Sequence, residues 1–204
     1  MIIGIIILFA GFFVGVLAGQ QFAIRKNIGE ALVANRLERL NGLHVLINNV
    51  TFPIENGTTQ IDHILLTEAG IFVIETKHYS GWIFGNPRDD KWTQAIYRKK
   101  SRFQNPLHQN YLHLKTVQAL FKLPGSAFIG VVVFTGSAEF KTDLGPSVIL
   151  LDQLLGFVEQ RREQVLDERQ MAYIVGRIEM KRLERSTETD EYHLNHVRSR
   201  ISRR

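Results

Sequence analysis

The chain has 204 residues, of which 45% are hydrophobic and 22% are charged, a composition that fits one compact domain with appended segments. It contains no cysteine, which excludes disulfide bonds, cysteine nucleophiles and thiolate zinc sites. The formal net charge of +5 favours an anionic partner, either nucleic acid or a membrane surface.

The N-terminal segment predicts a transmembrane helix. Residues 2–18 are almost continuously apolar, and about 20 such residues span a bilayer. Because Arg25 and Lys26 follow, the positive-inside rule predicts a single-pass protein of the cell membrane, with its N-terminus outside and its domain in the cytoplasm. The alternative is a cleaved signal peptide ending near residues 16–18, although the segment lacks the basic start of such peptides.

Small residues recur every four positions within this segment, at Gly11, Gly15 and Gly19. This spacing lets two helices approach closely and predicts a homodimer formed through the glycine face. Glycine is also common in transmembrane helices in general, so the same pattern is compatible with a monomer.

A helix and a strand are predicted next along the chain. Residues 27–40 favour a helix in which Asn27 is the N-cap and Glu30, three residues on, completes a capping box. Residues 44–52 predict the first strand, which ends at Pro53.

The most apolar part of the chain carries unexpected charges. Residues 59–66 and 71–77 have the composition of strands, and residues 67–70 between them contain a turn glycine, so the three segments predict a β-hairpin. The hairpin contains Asp62, Glu75 and Lys77. Buried charges cost several kcal/mol, on the order of 3–5, unless they are paired or bind a metal.

Two pairing registers bring these three side chains to one face of the hairpin. If Leu66 pairs with Ile71, Asp62 lies directly opposite Glu75. If the last two loop residues form the turn instead, Asp62 lies opposite Lys77. Opposed carboxylates, with Cβ atoms roughly 5 Å apart, repel unless one is protonated or a cation lies between them. Oxygen ligands in this arrangement suit Mg²⁺ or Mn²⁺, whereas a plain salt bridge is the simpler interpretation of Lys77.

Basic residues follow two further predicted strands, residues 82–84 and 92–97. The basic run contains Lys99, Lys100 and Arg102 beside aromatic side chains. Such a run would either contact the phosphates of a nucleic acid or form an ordinary solvated loop.

The C-terminal half alternates helices with apolar strands. The predicted helices are residues 105–122, 154–162 and 169–183, and the predicted strands are residues 128–135 and 148–151. Residues 186–204 are rich in Arg, Glu, Ser and Thr and predict a basic, loosely ordered tail. The seven histidines show no metal-site spacing and are expected to be structural or exposed.

Several motifs occur in a specific order: Gly29-Glu30, residues 60–64, residues 70–77, Gly81-x-Ile83, Trp92-x-Gln94, and Asn105-Pro106-Leu107 with Gln109. Over roughly residues 27–137 this set resembles the nuclease-related domain (NERD) family of the PD-(D/E)XK nuclease superfamily. The resemblance implies an α/β fold, in which a mixed central sheet is flanked by helices, here preceded by one N-terminal transmembrane helix. One departure from the superfamily motif is that Ile61, not Pro, precedes Asp62.

The resemblance implies a metal-dependent site for phosphodiester hydrolysis. Asp62 and Glu75 would hold one or two Mg²⁺ or Mn²⁺ ions together with the carbonyl of Thr76. Glu30 would be an additional carboxylate near the metal, besides its capping role.

Two further residues would act on the attacking water and the phosphate. Lys77 would orient or deprotonate the water and stabilise the transition state. Gln94 would, by the resemblance, position the water or the phosphate.

The predicted organisation is a transmembrane and juxtamembrane segment (1–24), a nuclease-like domain (25–151), C-terminal helices (152–185) and the basic tail (186–204). The expected function is that of a membrane-anchored, metal-dependent nuclease acting on DNA. One alternative is a membrane-tethered module that binds nucleic acid, or serves as a scaffold, with little or no catalysis. Another is a protein-interaction adaptor that works through the C-terminal helices.

Overall fold

The structure is a computed structural model that describes residues 26–186, 188, 189, 192 and 193. Its strands are β1 (His44–Ile54), β2 (Gly57–Thr67), β3 (Gly70–His78), β4 (Gly81–Phe84), β5 (Lys91–Ile96), β6 (Lys99–Gln104), β7 (Phe128–Thr135), β8 (Ala138–Phe140) and β9 (Val148–Leu150). Its helices are α1 (26–37), α2 (Pro106–Gln118), α3 (Leu154–Glu159) and α4 (Glu168–Lys181).

The central sheet has five strands in the order β1-β2-β3-β7-β9. Strands β1, β2 and β3 pair antiparallel, whereas β7 runs parallel to both β3 and β9. The predicted mixed central sheet flanked by helices is therefore confirmed. Strand β7, the apolar run predicted over residues 128–135, lies in the interior of the sheet, as its continuous hydrophobicity requires.

A second sheet has four strands in the order β6-β5-β4-β8. The parallel pair β3 and β7 continues directly into the parallel pair β4 and β8, because Tyr79 N–H donates to Thr135 O and Gly81 N–H donates to Ser137 O. The chain bends between the sheets at Gly136, which has φ +83°, and a Cβ there would approach the Tyr79 carbonyl to 2.7 Å.

Apolar layers cover both faces of the central sheet. Helices α2 and α4 pack on one face through residues such as Val117 and Ile174. Helices α1 and α3 cover the other face through residues such as Val33 and Leu154. A third cluster, around Trp92, fills the space between the two sheets.

The segment after β5 differs from the sequence-based expectation. The basic run is not a solvated loop, because Lys99–Gln104 forms the edge strand β6 and pairs along β5. Tyr97, expected at the end of a strand, lies in the connecting turn with φ 51°. Short strand β8 was not predicted either, since three residues carry little periodic signal.

Three predictions fall outside the described residues. They are the transmembrane helix at residues 2–18, the glycine face at Gly11, Gly15 and Gly19, and most of the basic tail. Within the part of the chain that the structure describes, no helix is long and apolar enough to cross a bilayer.

Candidate active site

The charged hairpin has the first of the two registers that the sequence allows. Leu66 pairs with Ile71, and the ladder between β2 and β3 runs as far as His63 opposite Ile74. Beyond that pair β2 and β3 are no longer joined, although β3 stays paired with β7 as far as His78. The next residues in register are Asp62 and Glu75, which therefore flank the point where the two strands separate.

At this point the Asp62 side chain takes the place of the backbone hydrogen bonds between β2 and β3. The Thr76 N–H donates to Asp62 Oδ2 at 2.8 Å, so the carboxylate of β2 bonds the backbone of β3. Asp62 and Glu75 are 2% and 1% exposed, which makes their compensation by cations and donors a structural requirement.

Glu75 is held by one partner on each carboxylate oxygen. Lys77 Nζ lies 2.5 Å from Oε1 and also donates to Gln109 Oε1 on α2 at 3.0 Å. His113, also on α2, donates from Nε2 to Glu75 Oε2 at 3.1 Å. Because the carboxylate only accepts, the proton of a neutral His113 ring sits on Nε2, and Nδ1 accepts from the Thr59 hydroxyl at 2.8 Å.

Asp62 belongs to a second cluster, which involves helix α1. The ammonium of Lys26 lies 3.4 Å from Asp62 Oδ1 and 3.4 Å from Glu30 Oε1. It also donates to Gln60 Oε1 at 3.1 Å. The carboxylates of Asp62 and Glu30 thus converge on one position, which the ammonium of Lys26 occupies.

Helix α1 can reach the end of β3 because Gly29 has no side chain. A Cβ at Gly29 would lie 2.9 Å from the Cβ of His78 and 3.2 Å from Cγ2 of Thr76. Such contacts are shorter than ordinary van der Waals packing allows. The glycine of the Gly29-Glu30 motif therefore places Glu30 beside the hairpin.

The two buried glutamates have opposite pKa shifts. Burial would raise the pKa of Glu75, but the Lys77 charge and the His113 hydrogen bond outweigh burial and hold that pKa at about 2. Burial, followed by the charge of Asp62, raises the pKa of Glu30 to about 7, although Lys26 opposes the shift. For Lys77, burial lowers the pKa, but the charges of Glu75 and Asp62 raise it above its ordinary value.

The donor chemistry at the Asp62–Glu30 position suits a hard divalent cation. Both groups offer carboxylate oxygens, and Glu30 Oε1 is buried without a hydrogen-bond partner. In the arrangement described, Lys26 supplies the positive charge there, and both oxygens of Glu75 already have partners. Among the described residues, no three His, Asp or Glu side chains are placed to hold a metal ion together. A metal bound by Asp62, Glu75 and the Thr76 carbonyl would therefore need Lys26 to withdraw and Glu75 to exchange a partner.

The remaining predicted site residues lie on the second sheet. Gln94 is on β5, where its amide donates to the Ser80 carbonyl at 2.8 Å and its oxygen accepts from Ser101 at 3.4 Å. It has no hydrogen bond to the charged residues of the hairpin within the described structure. Lys99, Lys100 and Arg102 lie exposed on β6.

Two residues of the site were not predicted from the sequence. His113 was taken as structural or exposed, yet it contacts Glu75 directly. Its spacing of four residues from Gln109 puts both side chains on one face of α2, a signal that was available. Lys26 was assigned only to the membrane-flanking charges, and no local pattern indicates that it folds back onto Asp62.

Comparison with known proteins agrees with this geometry. The sequence profile described as "Nuclease-related domain" (NERD) matches residues 25–135, more than half of the chain. The chain therefore belongs to the NERD family, within the PD-(D/E)XK-like nuclease superfamily, and the resemblance seen in the sequence motifs is confirmed.

A protein of Bacillus anthracis described as uncharacterized is 42% identical over 126 residues, which cover 57% of this chain. The match spans 59% of that relative's length. No solved structure matches the chain significantly.

Proposed function

We propose that the protein is a metal-dependent nuclease that hydrolyses phosphodiester bonds, with DNA as its substrate. The observation that carries the proposal is the contact of Lys77 with Glu75 beside Asp62, at the point where β2 and β3 separate. A NERD domain indicates a nuclease-like protein, and these are the acidic and basic groups that hydrolysis of a phosphodiester requires.

Asp62, Glu75 and the Thr76 carbonyl would hold Mg²⁺ or Mn²⁺, with Glu30 as a further carboxylate. The metal, when bound, lowers the pKa of a water molecule and offsets charge on the phosphate. The low pKa of Glu75 keeps its carboxylate ionised throughout the physiological range, as cation binding requires. His113 would fix the orientation of that carboxylate through Oε2.

Lys77 is the residue placed to act on the attacking water. Its side chain is 18% exposed, and its ammonium is held by Glu75 and Gln109. In its charged form it would donate a hydrogen bond to the phosphate or to the water and stabilise the negative charge that develops in the transition state. Gln94 would contribute from the second sheet only if the substrate extends over β5.

One observation favours a different function, namely a module that binds nucleic acid with little or no catalysis. Both oxygens of Glu75 are occupied, by Lys77 and His113, and Lys26 neutralises Asp62 and Glu30. A site with its charges already balanced is stable without metal. This alternative predicts binding that depends on Lys100 and Arg102, exposed on β6, and not on Lys77.

The deciding experiment is a cleavage assay with the full chain on single-stranded DNA, duplex DNA and RNA. Each substrate is tested with Mg²⁺, Mn²⁺ and EDTA, and Asp62→Asn serves as the matched inactive variant. We expect cleavage with either metal, none in EDTA, and none by the variant despite a native circular dichroism spectrum. Tight binding without cleavage of any substrate by the wild type would favour the binding module.

We also propose that residues 2–18 anchor the protein in the cell membrane and that the domain faces the cytoplasm. The support is the apolar sequence followed by Arg25 and Lys26. Membrane fractionation of the full chain, followed by protease treatment of intact cells, tests both parts. We expect the protein in the membrane pellet and its domain protected; a soluble protein beginning near residue 19 would indicate a cleaved signal peptide instead.

A further inference from the structure

The second sheet presents an outward surface whose residues are aligned by strand pairing. Ile83 and Trp92 are buried in the cluster between the two sheets, so the neighbours of each along its strand point away from it. Pairing sets Trp82 opposite Ala95, and Ala95 opposite Lys100. Directly paired residues share a face, so Trp82 and Lys100 lie on the same surface with only a small alanine between them.

A second row lies beside the first on the same surface. Phe84 pairs with Thr93, and Thr93 pairs with Arg102. Because this row is two residues further along each strand, it lies about 7 Å from the first. We call the surface defined by Trp82, Phe84, Lys100 and Arg102 the outer face. Each row has an aromatic side chain on β4 and a cation on β6.

Three groups of the outer face, Trp82, Lys100 and Arg102, are exposed to a ligand, whereas Phe84 is half-buried. Trp82 is 51% exposed, an unusual state for a residue of this size. Lys141 Nζ lies 4.9 Å from its ring centroid, and Lys141 is itself paired with Glu139 at 2.8 Å. Neither Lys100 nor Arg102 forms an ion pair with any residue that the structure describes.

We propose that the outer face binds single-stranded nucleic acid, with a base stacked on Trp82 and the backbone phosphates held by Lys100 and Arg102. The inference rests on the proposed nuclease function and specifies the class of its substrate. An exposed indole beside unpaired cations matches the chemistry of a nucleotide, since bases stack on aromatic rings and phosphates attract Lys and Arg. Single strands fit better than duplexes because only unpaired bases can leave their neighbours and stack on a protein ring.

The pairing register provides a matched control within the same hairpin. Lys99 pairs with Ile96, one residue out of phase with Lys100, so its side chain starts on the opposite face of β6. Arg98 lies in the turn before β6. Removing Arg98 and Lys99 changes the net charge as much as removing Lys100 and Arg102, but it leaves the outer face intact.

The test measures binding by the full chain in EDTA, so that cleavage does not contribute. The probes are a fluorescein-labelled oligothymidylate and a duplex of equal length, titrated at several salt concentrations. We expect Lys100→Ala with Arg102→Ala to weaken binding of the single strand about tenfold or more, and to reduce the slope of log K against log salt by about 1.4, the value for two phosphate contacts. We expect Arg98→Ala with Lys99→Ala to change the affinity less than about threefold and to leave the slope unchanged.

Trp82 is tested separately, because stacking is a distinct contribution. Trp82→Ala should weaken single-strand binding about tenfold, and Trp82→Phe should restore most of the affinity. Since Trp92 is buried, quenching of the wild-type tryptophan fluorescence by the oligonucleotide reports on Trp82. Unchanged melting temperatures of the variants exclude unfolding. If Trp82→Ala is unstable, the comparison of Trp82→Phe with Trp82→Leu takes its place.

Equal losses in the two double variants would overturn the proposal, as would tighter binding of the duplex or an unaffected Trp82→Leu variant. These results are independent of the cleavage assay. A protein that binds single strands through the outer face but never cuts refutes the nuclease and leaves the binding face standing. A protein that cuts while all outer-face variants bind normally refutes only the face.

Discussion

Lys26 and Asp62 are 36 residues apart in the sequence, yet the ammonium of Lys26 is 3.4 Å from Asp62 Oδ1. The same ammonium is 3.4 Å from Glu30 Oε1, one turn along helix α1. A lysine at the start of α1 therefore supplies the charge that keeps two buried carboxylates together. The position it fills is one that a divalent cation could also fill.

Replacing Lys26 by Met should therefore have opposite effects without and with metal. In EDTA, Lys26→Met should lower the free energy of unfolding by about 1 kcal/mol, because the loss of a buried pair is moderated by the 38% exposure of the Lys26 side chain. With Mn²⁺, the variant should gain more thermal stability than the wild type, since no ammonium repels the ion. Thermal unfolding with and without Mn²⁺ measures both effects.

Lys26→Arg is the control for this experiment, because it keeps the positive charge. It should resemble the wild type in EDTA and should not show the enlarged gain with Mn²⁺. If Lys26→Met and the wild type gain equally from Mn²⁺, the ammonium and the ion do not share a position.

His113 is predicted to position Glu75 and to keep it ionised. His113→Leu removes the hydrogen bond to Oε2, which is one of the causes of the low pKa of Glu75, so that pKa should rise. Because Glu75 must be ionised to bind a metal, cleavage should then be lost at a higher pH on the acid side of the rate profile. We expect activity at neutral pH to fall about tenfold. His113→Asn can retain a donor and should recover part of the loss, whereas a purely structural role would leave the acid limb unmoved.

Lys77 is predicted to act in the chemical step and not in metal binding. Lys77→Ala should reduce the cleavage rate at least about a hundredfold while the affinity for Mn²⁺, measured by calorimetry, stays equal or rises. Lys77→Arg keeps a positive charge beside Glu75, so its folding stability should match that of the wild type. Asp62→Asn and Glu75→Gln should instead lose both metal binding and cleavage. Loss of Mn²⁺ binding in Lys77→Ala would place Lys77 among the determinants of the metal site.

The hairpin that carries the site could be predicted because its signals are local. The strand-like composition of residues 59–66 and 71–77 and the turn at residues 67–70 left two registers, and the structure has the one that pairs Leu66 with Ile71. Strand β7 was equally clear, because its continuous apolar sequence is typical of a buried parallel strand.

Contacts between distant elements could not be predicted in the same way. Lys26 reaches Asp62 only because Gly29 lets helix α1 pack against β3, a consequence of tertiary packing. Strand β6 was missed because the turn before it contains Tyr97 at φ 51°, where Gly or Asn would normally announce the turn. Without β6, the alignment of Lys100 with Trp82 had no basis in the sequence.

The last prediction concerns His63, which lies next to Asp62 in the chain and is 1% exposed. Its Nδ1 donates to Asn48 Oδ1 at 2.8 Å, and its Nε2 is buried without a partner in the described structure. Burial lowers the pKa of His63 to about 4, although the charges of Asp62 and Glu75 oppose the shift. The ring is therefore neutral in the folded protein under conditions in which the unfolded chain would already be protonated.

The sign of the resulting pH dependence follows from proton binding. Between the unfolded value of 6.5 and the folded value of about 4, the unfolded state binds one more proton at His63, so stability rises with pH. On acidification from pH 6.5 to 4, this residue should cost the protein about 3 kcal/mol of unfolding free energy. His63→Gln can donate an amide N–H to Asn48 but does not titrate, so it should lose less stability over the same range.

Urea unfolding of the full chain in EDTA, at a series of pH values from 4 to 7, measures this difference. His108→Gln is the matched control, since it removes an exposed histidine on helix α2 and should follow the wild type. Parallel stability curves for the wild type and His63→Gln would mean that His63 is protonated in the folded protein. In that case its Nε2–H would need an acceptor at this buried position, whereas the hydrogen bond from Nδ1–H to Asn48 Oδ1 would be retained.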